Sequence, residues 1–96
     1  MQVNILDIPL EFKLSSAYPN PFNPSTTLDF TLPLETEVTI EVYNLQGQVI
    51  STLADDLMSM GYYSVVWDAR QYSSGVYFIR FVAGEYSNTQ KLMLIK

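Results

Sequence analysis

The side chains that could do chemistry in this sequence are carboxylates and hydroxyls, because its 96 residues include neither a cysteine nor a histidine. That removes disulfides, thiolate metal sites and the commonest general base at neutral pH. A serine nucleophile would need one of the five Lys and Arg residues as its base, and none stands in a Ser-x-x-Lys spacing. Asp55 and Asp56 are adjacent acids, but neighbours in an extended segment point opposite ways and cannot flank one glycosidic bond. Calcium takes oxygen ligands from loop carboxylates and amides, and Asn20, Asn23, Asp55, Asp56 and Asp68 all fall in expected loops. They lack the Asp-x-Asp-x-Asp-Gly spacing of a calcium loop. Aromatic stacking on a sugar is the remaining option, with Tyr62, Tyr72 and Tyr86 as the expected surface rings and Tyr63, Trp67, Tyr77 and Phe81 expected inside. The expectation is a non-catalytic chain with no cofactor and no metal, a loop calcium site and sugar binding being the alternatives.

Ten acidic against five basic residues give a net charge of -5. The basic residues are scattered at 13, 70, 80, 91 and 96, so no patch exists that could track nucleic-acid phosphates. No apolar run approaches the roughly 18–20 residues of a membrane-spanning helix, and the first residues lack the pattern of a signal peptide. A hydrophobic content of 48% over this length supplies one core.

The elements that must position these groups are strands. Residues 1–9 have no clear period and are expected to be a linker remnant or edge segment, with a single sandwich over 10–96. Leu10, Phe12 and Leu14 alternate with Glu11 and Lys13, the period of a half-buried strand. Residues 18–25 carry three prolines, which exclude helix and push their predecessors toward extended geometry. The segment is expected to cross between sheets, with Tyr18 and Phe22 sealing the core and Asn20 and Asn23 bonding to backbone in turns. Two further alternating runs cover 27–32 and 37–43, and a turn at 44–47 leads to a return arm over about 48–53. Residues 55–61 read as a crossing segment. Then come a strand with Tyr63, Val65 and Trp67 inward, a loop over 68–75, a β-prone run from Gly75 to Val82, and a last strand over roughly 86–95. Seven short strands with turns about every ten residues predict an immunoglobulin-like antiparallel β-sandwich. Its open edges, in the lead-in and the last strand, invite strand addition by a partner.

Several stretches are together diagnostic. They are Ile8-Pro-Leu-Glu-Phe-Lys-Leu14, Tyr18-Pro-Asn-Pro-Phe-Asn-Pro-Ser-Thr-Thr27, Val42-Tyr-Asn-Leu-Gln-Gly-Gln-Val49, Trp67-Asp68, Ser74-Gly-Val-Tyr-Phe-Ile-Arg80 and Gln90-Lys-Leu-Met-Leu-Ile-Lys96. Over about residues 8–96 the chain resembles the type A C-terminal sorting domain of type IX secretion. Its motif residues are then Tyr18, Pro19, Asn20, Pro21, Phe22, Asn23, Pro24, Trp67, Asp68, Gly75, Val76 and Tyr77. The Ig-like domain of the flagellar hook-capping protein is similar too, but the loop Asp68-Ala-Arg-Gln-Tyr-Ser-Ser-Gly75 is shorter than in many of those relatives.

The resemblance implies the tail of a larger secreted protein from Bacteroidetes or an allied phylum, with cargo domains before it. It also implies passage through the periplasm, recognition by outer-membrane secretion machinery, and a final place outside the cell or on its surface. A surface sortase would often remove such a tail, attaching the cargo to lipopolysaccharide or releasing it. The exposed linker within residues 1–16 is the expected place for a cut. The terminal strand over 88–96, with Lys91 and Lys96, and a turn at Gly75, Val76 and Tyr77 are the expected recognition features. A structural or assembly Ig-like module is the alternative function, and a carbohydrate-binding accessory domain a further one.

Overall fold

The structure is a computed structural model that describes residues 9–96. The lead-in set apart at 1–9 lies, Pro9 excepted, outside the described residues. Seven strands follow in order: β1 (Lys13–Leu14), β2 (Ser25–Leu32), β3 (Thr36–Tyr43), β4 (Val49–Met58), β5 (Gly61–Asp68), β6 (Gly75–Ala83) and β7 (Tyr86–Leu94). They form a three-stranded sheet, β1-β2-β5, and a four-stranded sheet, β4-β3-β6-β7. Every pairing is antiparallel. Crossovers between the sheets put sequence neighbours in different layers, the Greek-key logic of immunoglobulin-like sandwiches, here with the fourth strand beside the third rather than the fifth.

Period-2 alternation is what makes these segments strands and what builds the core. In β2 the side chains of Thr26, Leu28, Phe30 and Leu32 point in, while Ser25, Thr27, Asp29 and Thr31 point out. Val38, Ile40 and Val42 of β3, Tyr77, Ile79 and Phe81 of β6, and Leu92 and Leu94 of β7 meet them from the other sheet. The rings of Phe30 and Phe81 lie 5.0 Å apart across the layer. β5 follows the expected alternation, with Trp67 buried and Tyr62, Ser64 and Val66 exposed.

Two turns depend on glycine. Between β3 and β4, Asn44 accepts from the N–H groups of Gln46 and Gln48 through its side chain, and Gly47 takes φ +81°, a left-handed conformation open to glycine. Gly84, at φ +58°, opens the two-residue loop between Ala83 and Tyr86.

Three expectations need correction. The strand expected from Leu10 to Leu14 contracts to Lys13–Leu14. Before it the Glu11 carbonyl accepts from Thr31 Oγ1 of β2, and Leu10 is 77% exposed. The return arm expected to stop near residue 53 instead runs to Met58, because β3 presents hydrogen-bonding groups along its whole length and Thr36 pairs with Met58. Asp55 and Asp56 therefore lie in an edge strand and not in a crossing loop. Their strand was illegible as such because two register shifts in the β3–β4 pairing break its alternation. Third, Gly75, Val76 and Tyr77 do not form a turn. They open β6, paired with Leu94, Met93 and Leu92.

Candidate recognition surface

The proline-rich segment is fastened at both sides. On the three-stranded sheet, Tyr18 exchanges backbone hydrogen bonds of 2.9 and 2.8 Å with Thr27, and buried Thr26 donates its hydroxyl to the Pro19 carbonyl at 2.8 Å. On the four-stranded sheet it lies along the outer edge of β7. The Asn20 side-chain amide donates to the Lys91 carbonyl at 2.9 Å and accepts from Met93 N–H at 3.0 Å, so one side chain does the work of a strand residue. Phe22 continues the ladder, donating to the Met93 carbonyl and accepting from Ile95 N–H, both at 2.9 Å. Pro21 has no N–H to give, and Phe22 supplies the donor that meets the Met93 carbonyl of β7. Next along β7, the Gln90 amide bonds Ser15 and Ala17 at 2.7 and 3.0 Å. The backbone edge from Lys91 to Ile95 is thus bonded by the proline-rich segment, and the strand addition expected at the last strand finds its edge occupied there by the chain itself.

Phe22 is buried and Tyr18 is not, so only one of the two rings seals the core. The Phe22 ring packs 5.6 Å from Trp67, which also meets Tyr72 at 5.5 Å and Tyr77 at 5.3 Å. Tyr72 donates its hydroxyl to the Ile50 carbonyl and Tyr77 to that of Ser73. This aromatic cluster closes one end of the sandwich. Pro24 adds to it by accepting from Ala69 N–H at 2.9 Å. Tyr72, expected at the surface, belongs to this cluster, and Tyr86 packs between Phe12 and Phe81 at 5.8 Å from each. Of the three rings expected for sugar stacking only Tyr62 is exposed. Nothing in the loop around Tyr72 revealed its fate, since its partners are distant in sequence.

Tyr18 is half exposed and donates its hydroxyl to Asp29 Oδ2 at 2.9 Å. That hydrogen bond raises the phenol above its ordinary pKa of 10.0, with desolvation and the carboxylate's charge acting in the same direction. Ser64 donates to the other oxygen of Asp29. Asp68 is exposed and pairs with Arg70 at 2.9 Å. Lys96 donates through Nζ to the Arg70 carbonyl at 2.7 Å, while Lys91 points out from β7. Asn23 lies in the exposed stretch between Phe22 and Pro24.

The five groups considered for calcium are not brought together. Asn20 bonds the edge of β7, Asp55 and Asp56 lie on β4 at the opposite edge of that sheet, and Asp68 pairs with Arg70. Among the described residues no three acidic side chains are grouped as metal ligands would be, and no helix is long and apolar enough to cross a membrane.

The molecule is thus an all-β sandwich in which a proline-rich crossing segment is hydrogen-bonded to β7. Residues 16–96 match the secretion system C-terminal sorting domains, and the chain belongs to that family. Such a domain is the type IX sorting signal of a larger protein that it marks for export from the cell. No curated protein matches the chain.

Proposed function

We propose that residues 10–96 act as one non-catalytic unit, read by the outer-membrane type IX machinery as a folded surface and not as a linear tag. The observation that supports this most is the clamp of Asn20 and Phe22 on Lys91, Met93 and Ile95. It joins the proline-rich motif to the terminal strand across more than 70 residues of sequence. In this reading the motif residues of the aromatic cluster hold the surface in place, and Lys91 and Lys96 are the recognition candidates upon it. The cargo precedes the domain, crosses by way of the periplasm, and ends attached to the cell surface or released, with a surface sortase removing the tail. A cut at the exposed residues Leu10 and Glu11 would leave β1 in its sheet.

The test is a fusion of signal peptide, fluorescent protein and residues 1–96, expressed in a host with type IX machinery and in one lacking the translocon. The reading predicts reporter outside the first host alone. Periplasmic retention in both, with the domain shown folded, would favour a structural Ig-like module. Lys91→Ala and Lys96→Ala, with melting temperature recorded beside export, then test the lysines. Unchanged export in both variants removes them from recognition.

A further inference from the structure

We infer that the sandwich pairs with a second copy of itself through the open edge of β5, two antiparallel β5 strands joining the three-stranded sheets of both copies into one. The inference rests on the fold and does not depend on the sorting reading.

Each sheet has two edges, and a bare edge strand offers alternate N–H and C=O groups to any other strand. Three of the four edges carry a device against this. β1 is two residues long and holds Lys13, and past it the edge of β2 is taken by the bond from Ser15 N–H to the Asp29 carbonyl and by the Tyr18–Thr27 pair. β7 is bonded by the proline-rich segment from Lys91 to Ile95, and the lead-in meets the rest where Phe12 stacks on Tyr86 and where Gln90 bonds Ser15 and Ala17. In β4 the register shifts skip Ile50 and Leu53, the Ile50 carbonyl accepts from Tyr72, and Asp55 and Asp56 follow.

β5 has none of these protections. Its eight residues pair with β2 without a register shift, include no proline, lysine or arginine, and keep their one acid, Asp68, at the end. Among the described residues the backbone of 61–67 bonds no backbone other than that of β2. The inward side chains Tyr63 and Val65 are half-buried, whereas their partners on β2, Phe30 and Leu28, are buried. On the outer face Tyr62 and Val66 are each 58% exposed.

The sequence of β5 suits a second β5. Residues directly opposite in an antiparallel pair share a face, so the two-fold axis must fall on a residue, and the two registers that pair most of the strand are centred on Ser64 and on Val65. Centring on Ser64 sets Tyr62 against Val66 and Tyr63 against Val65, each twice by symmetry, and aromatic on β-branched is a cross-strand pair that sheets favour. Centring on Val65 sets Tyr62 against Asp68 instead. In the favoured register no charge meets a like charge: Asp68 falls opposite Met60, and the two Asp29 carboxylates lie three strand spacings apart, about 14 Å, where salt screens them. A second copy thus brings an open edge of the same length with matching side chains.

The test is sedimentation equilibrium of residues 1–96 at concentrations up to about 1 mM. The parent should pass from monomer to dimer and stop there, because pairing uses up the β5 edge of both copies. Tyr62→Lys with Val66→Lys sets like charges opposite each other on both sides of the axis and should raise the dissociation constant at least about tenfold. Tyr62→Lys with Val66→Glu sets unlike charges opposite in the same register and should restore the dimer. Both variants change exposed side chains, so melting at the dilute end should follow the parent. Val49→Lys, on β4, should dimerise as the parent does. A parent that stays monomeric overturns the inference, and so does a dimer that the paired lysines leave intact or that Val49→Lys loses equally. A monomer whose β5 amides gain protection from hydrogen exchange only when translocon is added would overturn it in favour of a partner's strand on this edge.

Discussion

Asn20 is a surface amide that stands in for a missing length of strand. Asn20→Ala removes a donor and an acceptor from the backbone of β7, and the expected loss is about 1–2 kcal/mol of unfolding free energy in a denaturant titration. Phe22→Ala empties a buried position against Trp67 and should cost more, about 3–5 kcal/mol, in the same measurement. Tyr18 offers a test by pH. Its folded pKa lies above 10.0, so the contribution of its hydrogen bond to Asp29 is fully present below that value. It is lost as pH rises through the folded pKa. Asp29→Asn removes the carboxylate, and an absorbance titration should then show one tyrosine moving down toward the ordinary value of about 10. The residue types at these positions were legible from sequence, and so was the extended backbone between the prolines. That Asn20 bonds Lys91 and Met93, not its own turn, was not legible, because nothing local distinguishes the two hydrogen-bonding fates of an asparagine.

At the scale of elements, β2, β3, β5, β6 and β7 were readable because each has one face in the core and keeps strict alternation. β4 was read only in its first half, and its continuation to Met58 escaped because the strand lies at an edge, with both faces partly wet and two register shifts. Its charges have a use there, since Asp55 and Asp56 on an open edge discourage pairing with another chain. Asp55→Val with Asp56→Val should raise self-association, seen as a concentration-dependent increase in light scattering. The β6–β7 hairpin depends on Gly84, whose φ of +58° disfavours any side chain, and an added Cβ would meet Thr36 Oγ1 at 3.1 Å. Gly84→Ala is expected to cost about 1–2 kcal/mol.

Across the whole molecule, the terminal strand is inseparable from the core. Deleting residues 91–96 removes Leu92 and Leu94, both buried, and strips Phe22 and Asn20 of their backbone partners. Two such buried leucines represent about 4–10 kcal/mol, against a total stability of about 5–15 kcal/mol for a domain of this kind. The truncated chain should therefore show no cooperative thermal transition by circular dichroism, and its loss of export would report unfolding and not a lost contact. The sequence by itself determined the all-β class, the facing of most strands and the family, because these follow from local periodicity, turn residues and motif spacing. Only the tertiary structure decided that the proline-rich segment rides on β7 and that Tyr72 and Tyr86 are packed. Those outcomes are set by register between strands far apart in the chain, and register is a property of paired strands that no single segment contains.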